Sequence, residues 1–102
     1  MLRCIHVGLG GFGTYWAREV LPHLREIGAA ETVAAVDIDR SRHVVAREPL
    51  GLDADRCYVD VKEALARHEV DFVTVVVPPA HHEAVVDAAV EAGVHILSEK
   101  PI

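Results

Sequence analysis

An α/β fold, with a doubly wound parallel sheet of about five strands, is what the sequence predicts, on three observations. Short apolar runs alternate along the chain with stretches whose apolar positions repeat at helical spacing. The run Asp71-Phe72-Val73-Thr74-Val75-Val76-Val77 is β-branched and apolar on both faces, as a strand covered by helices on two sides requires. The first strand passes directly into a glycine-rich turn, Gly8 to Gly13, and from there into a helix. Units of this kind cross over right-handedly, which places the strands parallel and the helices on both faces.

Each element has its own signal. Cys4-Ile5-His6-Val7 is the first strand. Trp16, Ala17, Val20, Leu21, Leu24 and Ile27 recur at helical spacing, with Gly28 as the stop, and Pro22 inside that helix predicts a kink or a lost backbone bond. Thr32 to Val36 is a second buried strand that ends at Asp37. A helix is expected between Arg40 and Leu50, with Glu48-Pro49 as its end. Cys57-Tyr58-Val59 is a short third strand, and Asp60 with Glu63 reads as a capping box opening a helix to about His68. Pro78-Pro79 closes the fourth strand, and a helix from His81 to Ala92 is capped by Gly93. Val94 to Leu97 is the last strand.

Length and composition bound the function. The 102 residues allow one domain at most, and a chain half apolar and one-quarter charged has the composition of a globular protein. The net charge is -6, and eight arginines with Lys62 and Lys100 are scattered singly rather than clustered. Nucleic acid requires clustered positive charge to displace counterions, so it is not an expected partner. Cys4 and Cys57 form no CxxC pair and no zinc spacing, which predicts two buried thiols in a reducing compartment. Strand-like sequence begins directly after Met1 and no apolar run reaches membrane-spanning length, so the expected location is the cytoplasm, with no membrane partner.

Gly8-Leu9-Gly10-Gly11-Phe12-Gly13 fits G-x-G-x-x-G between a strand and a helix, the context that makes the motif a dinucleotide-binding (Rossmann) fingerprint. Gly8 permits the tight turn, Gly10 lets the backbone approach a pyrophosphate, and Gly13 lets the helix pack close to the strand. Asp37 ends the second strand, where a carboxylate accepts hydrogen bonds from the adenosine ribose hydroxyls. Its charge repels a 2′-phosphate and so favours NAD over NADP, while Arg40 and Arg42 leave some tolerance for NADP. The competing role for Asp37 is to cap the next helix, a duty for which Asp39 is the rival. A methyltransferase also uses glycines after its first strand, but its loop is usually preceded by an acidic residue, where this chain has His6 and Val7.

The second half carries a more specific pattern. Val77-Pro78-Pro79-Ala80-His81-His82, followed by Ala88 to Gly93 and by Ser98-Glu99-Lys100-Pro101, resembles the Gfo/Idh/MocA family of oxidoreductases, in which the fourth strand ends in a Pro-Asn-x-x-His-like turn and the fifth in Glu-Lys-Pro. The resemblance runs from Gly8 to Pro101. It implies that Gly8, Gly10, Gly11, Phe12 and Gly13 form the pyrophosphate loop and that Asp37 is the ribose acid. It also implies that Pro78 and His82 line the cofactor groove, and that Glu99 and Lys100 sit near the nicotinamide. Pro79 departs from the usual Asn and forfeits its polar contact, and His81 carries no implied role beyond a solvent-facing helix start.

Lys100 is the implied catalytic residue, since oxidising a hydroxyl by hydride transfer requires a group to take the hydroxyl proton, and a positive ring beside a lysine favours its neutral, basic form. The expected activity is hydride transfer between nicotinamide and a sugar, polyol or related small carbonyl compound. The family pairs this domain with a substrate-binding α/β domain that these 102 residues do not contain, so the chain alone is expected to be inactive. Five candidate strands, against about six in a complete sheet of this type, leave an open edge, and self-association or marginal stability is expected. The alternative is a non-catalytic nucleotide-sensing module on the same fold, which would have no need of Lys100.

Overall fold

A computed structural model describes residues 1–98. Its five strands are β1 (Leu2–Val7), β2 (Ala30–Val36), β3 (Cys57–Tyr58), β4 (Phe72–Val75) and β5 (His95–Ser98), and all pair in parallel in the order β3-β2-β1-β4-β5. The fold class is therefore the one the sequence predicts. Strand order reverses between β1 and β4, so the connections run outward in opposite directions from the centre and open a crevice at the carboxyl ends of those two strands.

Both faces of the sheet are covered, which is why its central strands carry few polar residues. One cluster packs Ile5, Val7, Val73 and Val75 under α4 (Val61–Arg67) and α5 (Pro79–Ala92). The other packs Cys4, Leu9 and Ala35 against α3 (Val44–Leu50) and the helical segment that follows the glycine loop, through Ala17, Leu21, Ala46 and Leu50. Among the described residues, no helix is long and apolar enough to cross a membrane.

The helix after the glycine loop is three pieces: α1 (Phe12–Tyr15), a π-helical turn over Trp16–Val20, and α2 (Leu21–Glu26). The kink expected from Pro22 takes the form of this widened turn, in which the Leu21 amide donates to the Trp16 carbonyl and Pro22 falls in the first turn of α2, where a missing N–H costs least. Gly28 ends α2 as expected, in the left-handed conformation, with the Ala29 amide returning to the Leu24 carbonyl.

Several boundaries differ from the sequence expectation. Pro49 does not end its helix: α3 continues through it to Leu50 and stops at left-handed Gly51, because a proline one residue from the end forfeits little. That helix also starts late, after a 3-10 turn over Arg40–Arg42 that is capped by the Asp39 side chain. The capping box at α4 is half formed: Asp60 accepts from the Lys62 amide at 2.9 Å, while Glu63 turns to Arg67 at 3.5 Å. Helix α5 begins at Pro79, two residues before the expected start. Of the run 71–77 only Phe72–Val75 is regular strand, flanked by single bonds to β1 from the Asp71 amide to the Arg3 carbonyl at 2.8 Å and from the Val76 amide to the Val7 carbonyl at 2.9 Å. Cys4 is buried as expected, but Cys57, near the edge of the sheet, is only half-buried; both are free thiols, and burial raises the pKa of each.

Candidate functional site: a cleft at the carboxyl edge of the sheet

A cleft of about 860 Å³ opens where β1, β2 and β4 end. Gly8, Gly10, Gly11, Phe12, Asp37 and Pro78 all line it. Three separate turns of the chain thus meet in one concavity, at the point of strand reversal where open α/β sheets bind their ligands. Gly13 lies beneath the loop rather than in the cleft.

The glycine loop is held by its own short bonds. The Gly13 amide donates to the Gly10 carbonyl at 2.9 Å, and the Thr14 hydroxyl donates to the Leu9 carbonyl at 2.7 Å. Gly13 is required by space: a Cβ there would collide with the Gly8 carbonyl, so the first turn of α1 rests directly on the end of β1. At Gly10 the atom that a Cβ would meet belongs to the Arg42 guanidinium, which lies across the loop.

Asp37 is nearly buried and faces the loop. Its Oδ2 accepts from the Leu9 amide and its Oδ1 from the Asp39 amide, each at 2.8 Å. Capping of the next turn falls to Asp39, whose carboxylate accepts from the Ser41 amide at 3.0 Å and its hydroxyl at 2.6 Å; the Ser41 bonds hold Asp39 below the usual carboxylate range. A carboxylate offers about four lone-pair positions, so two amide bonds leave each Asp37 oxygen able to accept another hydrogen bond from the cleft. Arg42, at the rim of the cleft, approaches the same carboxylate at 4.0 Å and Asp39 at 3.6 Å, and is half exposed, so it is a solvent-screened counter-charge.

The two histidines of the Pro78 turn part company. His81, which has no implied role, lines the cleft, whereas His82 does not and instead reaches the Ser98 hydroxyl at 2.6 Å. Glu99 and Lys100 lie outside the described residues.

A residue that sequence reasoning passed over sits directly under the loop. His6 is fully buried, with Nε2 3.1 Å from the Gly13 carbonyl and Nδ1 2.8 Å from Thr74 Oγ1. A carbonyl can only accept, so Nε2 carries the proton and Nδ1 accepts from the Thr74 hydroxyl. Burial pushes the His6 pKa down to about 4, outweighing the nearby Gly13 and Gly8 carbonyls and the Asp37 charge, which favour the protonated ring. The available signal was two polar residues inside apolar runs that become opposite partners, His6 and Thr74, in the β1–β4 register.

Comparison with known proteins places the chain as a whole. The chain matches the family model described as "Oxidoreductase family, NAD-binding Rossmann fold" over residues 2–102. It is 44% identical over 98% of its length to an uncharacterized protein of Sinorhizobium fredii, of which it covers 28%. It is 30% identical over its whole length to inositol 2-dehydrogenase from Corynebacterium glutamicum, covering 30% of that protein. Among solved structures it resembles scyllo-inositol dehydrogenase from Lactobacillus casei with bound NAD(H) and scyllo-inositol, with a TM-score of 0.82, 25% identity, and coverage of 98% of this chain and 28% of that one. The chain thus spans under a third of the length of these relatives. It belongs to the Gfo/Idh/MocA oxidoreductase family, as an NAD-binding Rossmann domain.

Proposed function

We propose that NAD binds in the cleft between the glycine loop, Asp37 and the Pro78 turn, and that the protein serves hydride transfer to or from a sugar, polyol or related carbonyl compound. The convergence of three chain segments at the strand reversal carries this reading. Gly8, Gly10 and Gly11 present backbone without side chains for the pyrophosphate to approach, and Gly13 beneath them lets α1 rest on the end of β1. Asp37 takes the ribose hydroxyls on its free lone pairs, with Arg42 displaced from over Gly10 as the phosphates arrive. Phe12 and Pro78 form apolar walls, and His81 joins them from α5. NAD held there would supply the hydride acceptor or donor. We assign to Lys100 the exchange of the substrate hydroxyl proton, and to Glu99 a place near the nicotinamide. The dehydrogenase relatives support the substrate class, and their greater length supports a second domain as the other wall of the substrate pocket.

Titration of the chain with NAD and with NADP by calorimetry tests the binding reading. NAD should bind the more tightly, and Asp37→Ser should bring the two affinities together by about 10-fold, the scale of one lost charge-assisted hydrogen-bond pair. Equal or tighter binding of NADP by the unsubstituted chain contradicts the role of Asp37. The catalytic assignment requires a protein that carries a substrate domain: there, Lys100→Ala should suppress turnover and leave NAD affinity in place. The reverse outcome, turnover kept and NAD affinity lost, makes Lys100 a cofactor clamp.

A further inference from the structure

We propose that His6 and Thr74 are positioning residues for the dinucleotide, holding the glycine loop where the pyrophosphate meets it. This rests on NAD binding in the cleft described above, and adds to it a pair of side chains that do not touch the ligand. An aliphatic residue at position 6 would fill the same space between β1 and α1 without burying ring nitrogens in an apolar layer. The imidazole instead spans two elements. Through Nε2 it fixes the carbonyl of Gly13, in the first turn of α1, and through Nδ1 it is itself fixed by Thr74 on β4. No buried side-chain polar atom among the described residues lacks a partner, so the pair is a completed network and its geometry is determined.

The placement gives that network a consequence. The loop is anchored at its near end through Leu9, whose amide donates to Asp37 and whose carbonyl accepts from Thr14. At its far end the side-chain anchor is His6, acting on Gly13. Thr74 belongs to the strand that continues into Val76, Val77 and Pro78, the opposite wall of the cleft. The pair therefore ties the pyrophosphate loop on one wall to the other. Without it the Gly13 carbonyl keeps the Trp16 amide within the helix but loses its tie to β1 and β4, and the Thr74 hydroxyl falls back on the Ile5 carbonyl at 3.4 Å. The loop then drifts, and a displacement of a few tenths of an ångström weakens every amide contact with a phosphate at once.

The test compares ligands with and without a pyrophosphate in the 102-residue chain. NAD affinity is measured by calorimetry and adenosine by competition, in His6→Leu, His6→Gln, Thr74→Val and the His6→Leu/Thr74→Val double variant. His6→Leu and Thr74→Val should each weaken NAD by about 10-fold, the worth of one buried hydrogen bond, with adenosine changed by less than about twofold. The double variant should be no worse than either single one, because both remove the same tie. His6→Gln, which can donate to Gly13 and accept from Thr74, should recover most of the affinity. Unchanged NAD affinity in Thr74→Val overturns the proposal, even where His6→Leu fails to fold. Equal losses for NAD and adenosine also overturn it, because they signal general loosening. A chain that binds no NAD before substitution overturns the underlying reading, whereas one that binds it and keeps it in the variants overturns only the positioning role.

Discussion

Replacing Gly13 with alanine should cost about 2–6 kcal/mol of stability and take NAD binding below detection. The added Cβ would overlap the Gly8 carbonyl, and neither partner is a flexible side chain that can swing aside. Overpacking of this kind costs roughly 1–3 kcal/mol. Moving α1 away from β1 also breaks the bond from His6 to the Gly13 carbonyl, which adds about 1–3 kcal/mol for buried groups left unpaired. Gly28→Ala is the informative control: Gly28 has φ 75° with open space where its Cβ would stand, so alanine there should cost only about 1 kcal/mol. Urea denaturation of the two variants checks the contrast. Equal losses would mean that α1 shifts to admit the methyl group at little cost, and that close contact with the end of β1 is not what glycine supplies at position 13.

The same contrast explains what could be read from the sequence. Parallel order, strand number and the meeting of the glycine loop with Asp37 were legible because they rest on local signals: apolar runs, glycines between a strand and a helix, and an acid at a strand end. The π-turn before Pro22 and the passage of α3 through Pro49 were not, since both depend on how a helix settles against the sheet rather than on its own propensity. His82 was expected in the groove and His81 at a solvent-facing helix start, yet it is His81 that lines the cleft, because one residue of rotation about α5 decides which faces it, and that rotation is set by Val85, Ala88 and Ala89 packing beneath. His6 was read as a mere strand position. Its role appears only when β4 is placed beside β1, a pairing across 68 residues.

Acid should destabilise the fold through His6, by about 2 kcal/mol at pH 5 and about 3 kcal/mol at pH 4. An unfolded histidine titrates near 6.5, while burial holds His6 to about 4 in the fold. Below 6.5 the unfolded chain therefore binds a proton that the folded chain refuses, so stability falls with pH through this window and levels off only below about 4. Hydrogen bonding does not prevent protonation: charged His6 would donate from both nitrogens, with the Thr74 hydroxyl turning to the Ile5 carbonyl at 3.4 Å. The cost is that of placing the charge in an apolar layer, only partly offset by Asp37 at the end of β2. His68, lowered chiefly by burial and next by Arg56, acts in the same direction but is much more exposed to solvent. Carboxylates add losses of their own in acid, so the measurement is a difference: denaturation of the wild-type chain and of His6→Gln from pH 7.5 to 4. The gap between the two curves should shift by about 3 kcal/mol in favour of His6→Gln as the pH falls. Parallel curves would show that His6 takes its proton in the folded chain as readily as in water. The ring would then not be the dry anchor beneath the glycine loop that its contacts with Gly13 and Thr74 describe.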